Sequence, residues 1–149
     1  MGYVEDLRKI VGTRPLILVG AVVVMVDGIG SILLQERTYP KGKWGLPGGL
    51  MELGESAEAT AKREVWEETG LKISDLTLIN VYSGPNHYTV AENGDEFYSV
   101  TVAYMTTQIT GKMAVDPSES IRCAYVHPNN LPANLVQSHR TVIDDYLAL

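Results

Sequence analysis

The sequence has a single cysteine, Cys123, and few basic residues. One cysteine excludes an internal disulfide and any CxxC metal or redox site. Only 12 lysines and arginines stand against 18 aspartates and glutamates, so the net charge is −6. That balance argues against a protein that binds nucleic acid through a general basic surface.

The sequence also lacks a long apolar segment. Its most apolar run, residues 16–26, covers 11 residues, whereas roughly 20 are needed to span a bilayer. The first ten residues, MGYVEDLRKI, are polar and acidic and do not have the pattern of a secretory signal. We therefore expect a soluble, cytoplasmic protein with no membrane partner. A length of 149 residues suits one domain over 1–149, and a homodimer is left open.

Hydrophobic patterning in the first third predicts a helix followed by strands. Apolar residues at helical spacing predict a short helix over 3–11, within an extra N-terminal segment of residues 1–12. The apolar, β-branched run 16–26 predicts a central strand buried on both faces. Asp27-Gly28 predicts a hairpin turn that leads to a partner strand at 31–37. A polar loop that contains Pro40 follows.

The rest of the chain predicts a helix between groups of strands. Helix formers run from Glu55 or Ser56 to Thr69, with Ser56 as the N-cap and Gly70 just past the end. A strand-rich half and a closing helix follow. Together they predict an α/β (α+β) fold in which helices cover both faces of a mixed sheet. The expected strands are 76–82, 97–109 and 121–127, and the closing helix begins near 134–138.

Acidic residues are concentrated in one short segment. Between Gly49 and Leu71, six glutamates are opposed only by Lys62 and Arg63. Concentrated like charge destabilises a helix, so a compensating cation is expected. Three of these glutamates fall at i, i+3 and i+4 and share one stripe roughly 100° wide at the edge of the buried face: Glu64, Glu67 and Glu68.

A glycine turn, Pro47-Gly48-Gly49, lies just before the acidic helix. Converging carboxylate oxygens are the ligands that Mg²⁺ or Mn²⁺ requires. Glycine allows backbone to approach a ligand closely. Together they could hold a metal-bridged diphosphate, while a carboxylate positions or deprotonates the attacking water. The alternative for the EVWEE string alone is a glutamate-rich surface helix.

The spacing of these residues matches a known motif. Gly49 is followed after five residues by Glu55 and after seven more by REVWEETGL, which fits the Nudix box Gx5Ex7REUxEExGU at every defined position. The chain therefore resembles the Nudix hydrolase family. The resemblance implies the Nudix fold over most of the chain, Mg²⁺ or Mn²⁺ as cofactor, and a small nucleotide substrate. The implied reaction is hydrolysis of a nucleoside diphosphate linked to another moiety.

The resemblance also implies roles for the residues of the box. Glu64, Glu67 and Glu68 would form the metal-ligand cluster, with Glu64 and Glu68 as the direct ligands. Arg63 would orient the glutamates by ion pairing. The remaining positions would be an outer ligand or water-network member (Glu55), a backbone carbonyl ligand (Gly48) and the residue that permits the turn (Gly49).

The catalytic base has two main candidates. Glu64 lies inside the cluster, whereas many Nudix enzymes use a glutamate on a loop outside the box, which here is Glu119. Glu119 could instead stabilise the turn after Pro117. Asp95 and Glu96 are weaker candidates.

Candidate substrate contacts lie outside the acidic helix. Arg37 could reach a phosphate or form a surface ion pair, and Trp44 could stack on a base or anchor its loop. Two hints about the substrate compete. Pro85 lies where enzymes that cleave ADP-ribose often carry a proline, and Tyr88 lies near a tyrosine position of enzymes that cleave dinucleoside polyphosphates. A non-catalytic nucleotide sensor and an RNA 5′-end pyrophosphohydrolase are the alternative functions.

Overall fold

Three α-helices and ten strands make up the part of the chain described by the computed structural model, residues 2–39 and 41–149. Pro40, expected in a polar loop, lies outside the described residues. No helix in these two ranges is long and apolar enough to cross a membrane. The helices are α1 (Tyr3–Val11), α2 (Ala57–Thr69) and α3 (Gln137–Leu147). The strands are β1 (Leu16–Met25), β2 (Ile32–Arg37), β3 (Trp44–Gly45), β4 (Gly48–Leu50), β5 (Leu71–Ser74), β6 (Thr77–Tyr82), β7 (Tyr88–Val90), β8 (Glu96–Thr106), β9 (Gln108–Gly111) and β10 (Ser120–Val126).

Strand β1 is the centre of a mixed five-stranded sheet with the order β4-β1-β8-β6, in which β7 also pairs with β8. It runs parallel to β8 on one edge and antiparallel to β4 on the other. Because both edges of β1 are occupied, β2 pairs instead with β10 and β3 in a second sheet. The predicted hairpin is therefore wrong. The two strands meet only at a bridge from Val26 to Ile32, and Asp27 closes the turn by accepting from the Ser31 amide.

Side chains of β1 alternate between two hydrophobic cores. Val24 belongs to one core with Val142 and Ile143 of α3. Val23 faces the other way and belongs to a second core with Val65 of α2. Successive side chains of a strand point to opposite faces, so a strand covered by helices on both sides is apolar throughout. The mixed sheet between helices and the α+β fold are confirmed.

Helix α2 has the ends that its sequence predicts. The Ser56 hydroxyl accepts a hydrogen bond from the Ala59 amide at 3.0 Å. At the other end Gly70 has φ 74°, a left-handed conformation that glycine adopts without steric penalty, and its amide bonds to the Trp66 carbonyl. Both caps fix where α2 begins and ends, and the burial of Ala61 and Val65 in the second core sets the direction of its glutamates.

The predicted strand 97–109 is divided in two. The Thr106 hydroxyl donates to the Ser74 carbonyl at 2.6 Å and accepts from the Gln108 amide at 3.0 Å. These bonds interrupt the ladder of β8 and turn the chain into β9, which pairs with β5. Four strands have no counterpart in the sequence prediction, β3, β4, β5 and β7, because two to four residues are too few for a periodic signal.

Helix α1 is fastened to the domain chiefly through Arg8. Its guanidinium donates to the carbonyls of Gly12, Arg14 and Glu96 at 3.0, 2.6 and 2.6 Å. It also lies 3.6 Å from an Asp95 carboxylate oxygen, and the Arg8 side chain is only 10% exposed. At the other end of α1, the Tyr3 amide donates to Glu52 at 2.9 Å.

We expect Arg8→Leu to destabilise the protein by roughly 2–4 kcal/mol, because it leaves carbonyls and a carboxylate without their donor. Lys9→Leu is the matched control. It removes the same charge from the same helix, but its 3.9 Å pair with Asp6 is 65% and 63% exposed, so it should change stability by less than about 0.5 kcal/mol. Urea unfolding measures both. Equal losses would contradict the role given to Arg8.

Candidate active site

Arg63 of α2 joins the acidic residues of the site. Its guanidinium donates to Glu55 at 2.6 and 2.9 Å and to Glu64 at 2.8 Å. It also donates to the Leu50 carbonyl at 3.0 Å and lies 3.4 Å from Glu67. The hydrogen bonds from Arg63 lower the pKa of Glu55 to about 2. This geometry holds the loop before α2 against the helix and keeps the Glu55 carboxylate ionised.

Glu68 is a buried carboxyl group, only 5% exposed. One oxygen accepts from the Gly48 amide at 2.9 Å, and the other accepts from the Gln35 side chain at 3.3 Å. Burial raises the pKa of Glu68 to about 8, and the charge of Glu64 acts in the same direction. Burial also raises the pKa of Glu64. Burial thus disfavours the ionised form of both carboxyl groups, and at Glu64 the ion pair with Arg63 offsets part of this effect.

The two glycines of the turn are in close contact with their surroundings. A Cβ atom on Gly49 would lie 2.3 Å from the Glu64 carboxyl carbon. A Cβ atom on Gly48 would lie 2.1 Å from the Ala21 backbone oxygen on β1. Real Cβ contacts are longer than either distance, so a side chain at either position would displace its neighbour. The missing side chain of Gly49 provides the space that the Glu64 carboxylate occupies.

The acidic side chains do not form a finished metal site. Across residues 2–39 and 41–149, no three Asp, Glu, His or Cys side chains are grouped closely enough to hold an ion as they stand. Glu55 and Glu64 bond to an arginine instead, and Glu68 bonds to a backbone amide. The donor chemistry nevertheless fits Mg²⁺ or Mn²⁺, because the carboxylate oxygens of Glu64 and Glu68 both lie against the glycine turn in a partly desolvated position.

A polar cavity of about 390 Å³ opens beside the acidic helix. Glu68 and Gly48 line it together with Arg37, Tyr39 and Glu119. The charge of Glu119 helps to raise the pKa of Glu68, although burial is the main cause. Burial lowers the pKa of Arg37. The structure therefore brings a buried acid, a loop acid and a partly buried guanidinium to one cavity.

Three residues expected to contact substrate, Trp44, Tyr88 and Gly49, are not among those lining this cavity. Trp44 packs against the core beside α3, and the Arg122 guanidinium lies 5.2 Å from its ring centre. Tyr88 lies on the exposed strand β7, where its ring is 5.1 Å from the Tyr98 ring and its hydroxyl donates to Glu96. The packing of Trp44 favours the anchoring role over stacking on a base, and Tyr88 belongs to the β7–β8 hairpin.

Three residues of the site region escaped the sequence analysis. Gln35 lies inside an apolar strand, and Tyr39 lies in a loop without a motif. His139 accepts a hydrogen bond from the Leu46 amide at 2.9 Å across a separation of 93 residues. None of the three carries a local signal, because only the folded chain brings each of them to the site.

We expect Glu68→Gln to gain stability over the wild type as pH rises, once metal is removed with chelator. The raised pKa, about 8, means that the folded carboxyl keeps a proton that the unfolded chain gives up near pH 4. Stability from this proton is complete below pH 4 and is lost progressively up to about pH 8. The variant has no such loss, so its advantage should grow by about 4 kcal/mol between pH 5 and pH 9.

Urea midpoints at these two pH values measure the effect. Glu67→Gln is the matched control, because it changes the same charge on the same helix at a side chain that is 50% exposed. The control should show no growing advantage. The same pH dependence in both variants would contradict a buried, protonated Glu68.

The fold and the cavity define the class of protein: an α+β domain that holds carboxylates against a glycine turn. Comparison with known proteins names the family. The family model described as NUDIX domain matches residues 16–146. The chain belongs to the Nudix hydrolase family, whose members generally use divalent metal ions and act on small nucleotides. Helix α1 lies outside the matched residues.

Individual relatives agree with this assignment. An ADP-ribose pyrophosphatase of Methanocaldococcus jannaschii is 31% identical over 130 residues, which is 83% of this chain and 72% of that protein. An NAD-capped RNA hydrolase NudC of Shigella dysenteriae is 28% identical over 86% of this chain, and the chain spans only 47% of its length. A crystal structure of a MutT NUDIX hydrolase from Burkholderia pseudomallei superposes with a TM-score of 0.74 at 28% identity, covering 89% of this chain and 98% of that one.

Proposed function

We propose that the chain hydrolyses the pyrophosphate bond of a nucleoside diphosphate linked to another moiety, with Mg²⁺ or Mn²⁺ as cofactor. The class of substrate includes nucleoside triphosphates, ADP-ribose, nucleotide sugars and dinucleoside polyphosphates. We propose a single catalytic domain over 1–149, with residues 1–12 as an addition. The proposal agrees with the names of the relatives, which share cleavage of a nucleotide derivative but differ in the compound.

The observation that carries the proposal is the position of Glu68. A carboxyl group that is 5% exposed faces the same cavity as the Arg37 guanidinium and the Glu119 carboxyl group. A buried acid needs compensation by a cation, and a partly buried guanidinium is stabilised by an anion. A cation together with a diphosphate would satisfy both requirements in one complex.

Glu64 and Glu68 would hold the metal directly, with Glu67, the Gly48 carbonyl and the outer carboxylate Glu55 around it. When bound, a divalent cation neutralises charge on the phosphate oxygens. Arg63 would keep these acids in position, because it already bonds two of them.

The chain's remaining groups would act on the substrate and the attacking water. Arg37 would donate to a phosphate oxygen, the Gly48 backbone at the cavity wall would contact the diphosphate, and Gly49 would leave room for the Glu64 carboxylate. Glu119 would accept a proton from the water whose oxygen attacks phosphorus as the P–O bond to the leaving group breaks. Glu119 is favoured over Glu64 as the base because it is exposed on its loop, whereas Glu64 is engaged by Arg63 at 2.8 Å.

The test is a panel of these nucleotide derivatives with product identification in ¹⁸O-labelled water. We expect a nucleoside monophosphate as one product, the label on a phosphate product, and modest selectivity across several compounds. Activity should disappear with chelator and return with Mg²⁺ or Mn²⁺. A Glu68→Gln preparation, purified in parallel, controls for contaminating phosphatases.

Several outcomes would contradict the proposal. Release of free base, or of an unphosphorylated nucleoside as the first product, would exclude pyrophosphate cleavage. Full activity after exhaustive metal removal would exclude the cofactor. Tight nucleotide binding without turnover would favour the sensor alternative. Salt-sensitive RNA binding in a gel shift would favour 5′-end processing.

A further inference from the structure

His139 connects the last helix to the strand that leads into the glycine turn. It lies in the first turn of α3, and its Nδ1 accepts the hydrogen bond from the amide of Leu46, which is only 2% exposed. His139 does not line the cavity that contains Glu68. It borders a narrow cleft on another side, with Tyr82 and His87. Its contacts therefore act on the wall of the site rather than on anything inside it.

The His139 imidazole and the Arg37 guanidinium both lie against the same side of Gly45, where a side chain would otherwise stand. A Cβ atom on Gly45 would lie 2.8 Å from His139 Nδ1 and 3.1 Å from both Nε and Nη2 of Arg37. The pairing of β2 with β3 sets the position of the Arg37 side chain. Gly45 pairs with Gln35, and Arg37, two residues further along β2, points to the same face of the sheet as Gln35. Desolvation lowers the pKa of His139 to about 3, and the Arg37 charge acts in the same direction, so the imidazole accepts as a neutral group beside a cation.

We propose that Gly45 and His139 are positioning residues that fix the Arg37 guanidinium at the cavity wall, where it receives a phosphate of the substrate. The absence of a side chain on Gly45 leaves room for the guanidinium, and His139 bounds this room on the side of α3. The guanidinium is a planar donor whose value for phosphate depends on its orientation. This inference rests on the proposed function, since it concerns the phosphate end of that substrate.

A double-mutant cycle tests the proposal. Gly45→Ala, Arg37→Ala and the double variant are compared with the wild type. Steady-state kinetics give kcat and KM for a nucleotide derivative that the wild type cleaves, and calorimetry gives the affinity for ADP with Mg²⁺. Gly45→Ala should weaken ADP binding and raise KM by about ten-fold while kcat changes by less than about three-fold. In the Arg37→Ala background the same change should have less than about a two-fold effect.

Gly28→Ala is the matched control, because a Cβ there meets nothing within 4 Å. It should leave KM and ADP affinity unchanged. Equal effects of Gly45→Ala in both backgrounds would overturn the proposal, and so would an Arg37→Ala variant with unchanged ADP affinity. The proposed function fails separately, if the wild type binds ADP but cleaves no pyrophosphate.

A second pair of variants decides the matter if Gly45→Ala does not fold. His139→Asn keeps an acceptor near the Leu46 amide, whereas His139→Leu removes it. We expect His139→Leu to raise KM by about ten-fold and His139→Asn to restore KM to within about three-fold of the wild type. Parallel losses of kcat in both variants, with KM unchanged, would overturn the positioning role.

Discussion

Glu68→Gln and Glu64→Gln are each expected to lower kcat by roughly two orders of magnitude or more, because each removes a carboxylate charge that the divalent cation requires. The amide has the size of the carboxyl group and can still accept from the Gly48 amide. The fold should therefore persist, and the metal-free Glu68 variant should be at least as stable as the wild type at pH 9. Steady-state kinetics at saturating Mg²⁺ and urea unfolding measure the two effects together.

The matched control for these variants is Glu92→Gln, an equal change of charge at an exposed loop residue away from the cavity. It should leave kcat within about two-fold of the wild type, as surface substitutions usually do. A loss of both stability and activity in Glu68→Gln would instead assign this glutamate a structural role. An unchanged kcat in both site variants would exclude the carboxylates from the reaction.

The parts of the fold that could be predicted from sequence are those governed by local signals. The ends of α2 follow from Ser56 and Gly70, whose capping chemistry acts within a few residues. The burial of β1 on both faces follows from its unbroken apolar run. The glutamate stripe follows from helical spacing, so the candidate site could be located at one helix and the turn before it.

The parts that could not be predicted depend on which strand pairs with which. Asp27 does form a turn, but the edges of β1 are filled by β4 and β8, so no local signal reveals that β2 pairs elsewhere. In the same way, helical spacing predicts only the i, i+4 contact of Arg63 with Glu67. The bonds of Arg63 to Glu55 and Glu64 depend on the folded arrangement of the loop and the helix. Of these three contacts, the i, i+4 contact is the longest, at 3.4 Å.

Gly49→Ala and Gly48→Ala are the same change at adjacent positions, but the first should chiefly lower kcat and the second should chiefly lower stability. At Gly49 the new Cβ would overlap the Glu64 carboxyl group, at 2.3 Å. A carboxyl group at the end of a side chain can rotate away, so the fold should survive. The rotation would break the 2.8 Å bond with Arg63 and remove a metal ligand from its position. We expect kcat to fall about 100-fold, with unfolding free energy lowered by less than about 1.5 kcal/mol.

At Gly48 the new Cβ would lie 2.1 Å from the Ala21 oxygen and 2.8 Å from the Val22 Cα atom, both backbone atoms of the central strand. Backbone in the middle of a sheet cannot rotate away, so the overlap should separate β4 from β1. We expect a loss of stability of about 3 kcal/mol or more. Urea unfolding and kcat, measured on both variants, test the contrast, and Gly28→Ala again serves as the control for adding a methyl group. Equal losses of stability at the two positions would show that the Glu64 side chain is held as rigidly as the backbone of β1, and that the turn serves the fold rather than the reaction.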